Sequence, residues 1–72
     1  MLTKLKIYRN ICRKTQKQVA KESGVSQAFI SLIENDFYPP KDSEEGKKLE
    51  KYIEDVLEPV ARPRLQVLAD SA

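Results

Sequence analysis

The sequence predicts an all-α fold, a compact bundle of four to five short helices. Two observations lead there. Apolar residues recur at helical spacing in several separate stretches, and residues that start or stop helices stand between them. The chain has 72 residues, enough for one domain. A domain of that size buries only about 60% of the surface its unfolded chain exposes, so its few core residues carry much of the stability.

The first helix is expected within residues 3–13, "TKLKIYRNICR", with Thr3 as its cap. Leu5, Tyr8 and Cys12 share one stripe, and Ile7 and Ile11 lie beside it. Arg9 borders that stripe, where a long cation can bury its stem and keep its head in water. Thr15 then reads as the N-cap of "QKQVAKES", whose Val19, Ala20 and Ser23 face inward. Gly24 stops this helix, because glycine enters the left-handed region without a Cβ penalty. Ser26 caps the next helix, "QAFISLIEN", with Phe29, Ile30 and Ile33 towards the body.

"DFYPPK" is a loop, since Pro39 and Pro40 exclude a continuing helix. Asp42 or Ser43 caps a further helix, with Glu44 and Glu45 near its positive end and Gly46 weakening its first turns. Its expected buried face is Leu49, Tyr52, Ile53, Val56 and Leu57. Pro59 and Pro63 are expected to break the remainder, whose Val60, Leu65, Val67 and Leu68 pack on the body or on a second subunit. Fraying is expected from Asp70 onward. The division is therefore a domain over residues 1–58 and a C-terminal tail over residues 59–72, a packing or dimerisation segment.

Charge is unevenly spread. Residues 1–41 hold eight Lys or Arg against three Asp or Glu, and residues 42–72 hold five against eight. The halves therefore carry +5 and −3, and the basic half favours a polyanionic partner. There is no His, and Cys12 is the one cysteine, so neither a metal site nor an internal disulfide is expected, and a reducing intracellular setting is. No apolar run of about 20 residues is present to span a bilayer, and the start is too polar for a secretory signal. An enzyme is not expected: Cys12 falls on the core stripe rather than beside a base, and the carboxylates lie mainly on a solvated helix.

Two short helices joined by a tight glycine turn are the signature of a helix-turn-helix. Gln16, Ala20, Gly24, Ile30 and Ile33 fall in one register, and "SLIEN" follows. On these residues the chain resembles the phage-repressor and Cro type (XRE-like) of helix-turn-helix domain, over residues 3–57. The resemblance implies that Ala20 lets the two helices approach and that the second helix enters the major groove of double-stranded DNA. It implies base reading by Gln27, Ala28, Ser31 and Leu32. A glutamine amide matches adenine N6 and N7, and an alanine methyl suits a thymine methyl. It implies phosphate contacts by Gln16, Lys17, Ser26, Asn35, Tyr38 and Lys41, with Arg13 and Lys14 on an adjoining basic face. It also implies an orienting ion pair between Arg9 and Glu34.

Three positions depart from the family pattern. Arg13 and Lys14 stand where Gly and Leu are common, and Asp36 stands where Gly is frequent, so both local geometries are expected to differ. The expected function is a sequence-specific regulator of transcription, a repressor of phage or bacterial type. It would act in the cytoplasm, at the bacterial nucleoid or in a host cell, as a homodimer at least on DNA. No cofactor, membrane or small-molecule ligand is implied. The alternative is a protein-binding adaptor or antitoxin-like module on the same fold, for which the acidic final helix would suit.

Overall fold

The computed structural model describes residues 2–71. A 3-10 turn, Leu2–Lys4, leads into α1 (Leu5–Ile11), α2 (Gln16–Ser23), α3 (Gln27–Glu34) and α4 (Glu44–Tyr52). A π-helical turn, Ile53–Leu57, then connects α4 to α5 (Glu58–Ser71). The described residues form no strand, and the all-α bundle is the one the sequence predicts.

Helix starts follow local chemistry. The Thr15 hydroxyl accepts from the Gln18 amide at 3.1 Å, and the Gln18 side chain accepts from the Thr15 amide at 2.8 Å. This reciprocal pair satisfies two otherwise unbonded donors. The Ser26 hydroxyl accepts from the Phe29 amide at 3.2 Å, and that of Ser43 from the Gly46 amide at 3.2 Å. Ser43, not Asp42, is thus the cap of α4. Thr3 is not a cap: the chain coils one turn earlier, and Lys4 takes the cap position without a side-chain bond.

Helix ends are equally specific. Gly24 has φ +77°, and its amide donates to the Ala20 carbonyl at 3.0 Å. Nothing lies within 4 Å of where a Cβ would stand, so the glycine serves the left-handed backbone alone. Arg13 and Asp36 also have positive φ, 56° and 67°. The two positions where the family favours glycine keep a left-handed backbone without it.

The core gathers Leu5, Tyr8, Val19, Val25, Ile30, Ile33, Leu49, Tyr52, Ile53, Leu57 and Ala61. Ile11, Cys12, Ala20, Phe29 and Leu65 pack against it, partly buried. Gly46 is buried because α4 approaches the loop closely: a Cβ there would stand 3.1 Å from Pro39 Cγ.

The C-terminal third departs from expectation. Pro59 and Pro63 do not break it, and α5 is continuous with Pro63 inside. Pro59 is exposed and directly follows the π turn, within a coil that runs on from α4. Pro63 lies on the exposed side, while Ala61 and Leu65 dock the opposite side on the body. Arg64 Nη1 donates to the Ile11 carbonyl at 2.9 Å, tying α5 to the end of α1. Val56 is 38% exposed rather than core. The π turn, with the Glu58 amide bonded to the Ile53 carbonyl, widens the coil by one residue. The buried stripe then resumes as Leu57, Ala61 and Leu65, and Val60, Val67 and Leu68 are exposed. The fraying expected from Asp70 falls at the edge of the described residues, with Ala72 outside them.

Substitutions at the left-handed positions should move stability in opposite directions. Gly24→Val should lower it by about 2 kcal/mol, since a Cβ strains that backbone. Arg13→Gly should raise it by about 1 kcal/mol for the converse reason. Urea midpoints read both, and a Gly24→Val chain as stable as its parent would show that the turn has been misread.

Candidate nucleic-acid interface

The α3 helix divides cleanly. Ile30 and Ile33 are buried, and Phe29 packs partly against the core. On the outer side Gln27, Ala28 and Leu32 are exposed and Ser31 is half-buried. These four occupy two adjoining turns of one face, an uncharged mixture of amide, methyl, hydroxyl and isobutyl. The one charged residue of α3, Glu34, points elsewhere: its side chain is 5% exposed.

Glu34 is held by a fork. Arg9 Nε donates to its Oε2 at 2.6 Å and Arg9 Nη2 to its Oε1 at 2.8 Å. Arg9 Nη1 turns the other way and donates to the Lys14 carbonyl at 2.8 Å. Gln16 Nε2 adds a bond to Glu34 Oε1 at 3.2 Å. One cluster thus joins α1, the turn after it, the start of α2 and the end of α3. Burial by itself pushes the Glu34 carboxyl up. The hydrogen bonds from Arg9 and Gln16 outweigh it, and the group titrates below the ordinary carboxylate range.

The sequence-predicted phosphate contacts differ in exposure and in the bonds they already make. Lys17 and Lys41 are exposed. Gln16 is half-buried and commits one amide hydrogen to Glu34. Ser26 is exposed, and its hydroxyl can still donate while it caps α3. Asn35 is exposed, with Nδ2 donating to the Ser31 carbonyl at 2.7 Å. The Tyr38 hydroxyl donates to Asp36 Oδ1 at 2.9 Å, and this bond pushes its own titration up. On the adjoining basic face Arg13 is exposed, but Lys14 is taken up by Glu22, with both carboxylate oxygens at 3.0 Å.

Sequence reasoning did not find the role of Glu22. Its Oε1 also accepts from the Tyr52 hydroxyl at 2.5 Å, so it links the turn before α2 to α4. The Tyr52 bond, followed by Lys14, lowers its titration, whereas burial, followed by Glu22, raises that of Tyr52. No local pattern signals such a pairing, because the three residues meet only in the folded chain. Phe37, given no role by sequence reasoning, is 67% exposed directly after α3.

The Arg9–Glu34 pair yields two expectations. Arg9→Met alone should cost about 3 kcal/mol, because Glu34 stays buried and unpaired. Arg9→Met with Glu34→Leu should lie within about 1 kcal/mol of the parent. A double variant worse than either single change in urea would refute this account. In acid, the depressed folded-state titration of Glu34 means that its contribution is complete above the ordinary carboxylate range. It disappears as pH falls through the depressed value. A Glu34→Gln chain should therefore lose less stability on acidification than its parent, and equal losses in urea titrations across pH would show that Glu34 is not linked.

No curated protein and no solved structure is significantly similar to the chain. A helix-turn-helix family model matches residues 5–54, from the start of α1 into the π turn. That span holds the α2–α3 pair, the Arg9–Glu34 cluster and most of the core. The chain therefore belongs to the helix-turn-helix family of DNA-binding regulatory domains.

Proposed function

We propose that the chain is a sequence-specific double-stranded DNA binder of repressor type, related to phage repressors and Cro. The observation that supports this most is the sorting of charge on α3. Its one carboxylate is turned inward onto Arg9, and its outer face presents Gln27, Ala28, Ser31 and Leu32. An outward carboxylate would repel the phosphate backbone, whereas amide, hydroxyl and methyl groups match base edges in the major groove. Lys17, Lys41, Ser26 and Asn35 are exposed, Gln16 bonds the carboxylate at the end of α3, and Tyr38 bonds Asp36 just after it. In this reading they bond phosphates and set the register of α3.

Regulation is by occupancy of an operator. One module makes few contacts, so two copies on half-sites about one helical turn apart gain both affinity and specificity. The competing reading is an adaptor or antitoxin-like module that binds a protein. The exposed acids Glu44, Glu45, Glu54 and Asp55 favour it.

Selection of bound sequences from random duplex DNA separates the two. Enrichment of a short, pseudo-symmetric sequence supports the repressor reading. Absence of duplex binding at low salt, together with a tight protein partner, would sink it. On the selected site, Gln27→Ala should cost about 1–3 kcal/mol and relax preference at one base position. Lys41→Ala should weaken all duplexes alike and reduce the slope of log affinity against log salt by about 1. An unchanged base preference removes Gln27 from the reading residues, and an unchanged slope removes Lys41 from the phosphate contacts.

A further inference from the structure

The end of α3 carries an apolar pair that its geometry does not require. The Asp36 amide donates to the Ile33 carbonyl at 3.1 Å and the Phe37 amide to the Leu32 carbonyl at 2.9 Å, with Asp36 left-handed between. This is a Schellman cap, which brings the residue after the left-handed position beside the third residue from the helix end. Here those residues are Phe37 and Leu32, exposed by 67% and 50%. The end of α1 is an internal control. There the Arg13 amide donates to Asn10 and the Lys14 amide to Arg9, both at 3.1 Å, around left-handed Arg13. The corresponding pair is Lys14 and Arg9, both polar and both engaged by carboxylates. The same cap therefore forms without an apolar pair.

We propose that Leu32 and Phe37 form one ledge that packs against thymine methyl groups and the adjoining deoxyribose, beside the bases met by Gln27 and Ala28. This rests on the DNA-binding reading above. Leu32 follows Ala28 by four residues, so the ledge continues the outer face of α3. The thymine methyl is the apolar group that the major groove displays. The loop is tied back on both sides of Phe37, by Asn35 to the Ser31 carbonyl and by Tyr38 to Asp36. The Asp36 carboxylate, the one acid in this turn, accepts that Tyr38 bond. Phe37 is thereby a specificity-determining residue, favouring thymine at the edge of the site.

The test uses the full chain and the duplex recovered by selection. Each thymine is replaced in turn by uracil, which removes only the methyl group. The parent should lose affinity roughly fourfold at one or two thymines, the effect of one buried methyl. Phe37→Ser should bind the thymine duplex more weakly and no longer distinguish uracil at one of those positions. Its urea midpoint should match the parent's, because the side chain is exposed. Equal binding of thymine and uracil by the parent, or full methyl discrimination in Phe37→Ser, overturns the ledge and leaves DNA binding intact. A parent that binds no duplex at low salt overturns both readings. If Phe37→Ser instead changes self-association in sedimentation, with methyl discrimination untouched, the pair is a contact between copies and the proposal fails.

Discussion

The guanidinium of Arg9 is the constraint on which the rest depends. The helices it joins are about two turns long, and such helices are unstable alone. Their orientation must come from contacts between them. Two of the Arg9 nitrogens grip Glu34 on α3, and the third holds the Lys14 carbonyl in the turn before α2. Lysine could not substitute, since a point ammonium lacks the planar fork that meets both carboxylate oxygens while bonding a third acceptor. The pair adds little net stability, because desolvation offsets much of its attraction. Its effect is geometric: the end of α3 is fixed relative to α1, and with it the outer face of α3.

Backbone conformation serves the same end. Three helices finish on left-handed residues, Arg13, Gly24 and Asp36, and only one of the three is glycine. The other two hold the strained conformation where nearby hydrogen bonds sustain it. The Arg9 bond to the Lys14 carbonyl lies one residue after Arg13, and the Tyr38 hydroxyl bonds Asp36 itself. Tertiary and local hydrogen bonds thus stand in for the conformational freedom of glycine. This explains why departures at these two positions leave the helix-turn-helix frame in place.

What could be read from the sequence divides along the same line. Thr15, Gly24 and Ser26 act through the backbone within a few residues, so α2, its turn and α3 were legible at once. The outer face of α3 was legible because helical spacing alone separates Ile30 and Ile33 from Gln27, Ala28, Ser31 and Leu32. The C-terminal helix was not legible. Proline rules are local, whereas the docking of Ala61 and Leu65 and the Arg64 bond to Ile11 arise only in the folded chain. Val56 was misassigned because a spacing of 3.6 residues does not carry across a π turn. The pairing of Arg9 with Glu34 was accessible only through family resemblance, since 25 residues separate them. The bonds made by Gln16, Tyr38 and Glu22 depend on tertiary placement and left no pattern to read.

Electrostatics connects these separate features. Residues 1–41 contain three acids, Glu22, Glu34 and Asp36. Each is engaged within the fold: Glu22 by Lys14 and Tyr52, Glu34 by Arg9 and Gln16, Asp36 by Tyr38. Two cations are consumed in doing so, and Lys4, Lys6, Arg13, Lys17, Lys21 and Lys41 are left exposed. The exposed acids of α4 and the π turn, Glu44, Glu45, Glu54 and Asp55, lie in the other half of the chain. A net charge of +2 therefore understates the contrast within the molecule. Exposed cations in such excess attract polyanions, and the outer face of α3 carries no charge of its own. Pairing of the three acids thus leaves six exposed cations in residues 1–41, and Arg9 serves two purposes at once: it orients α3 and draws its only carboxylate inward.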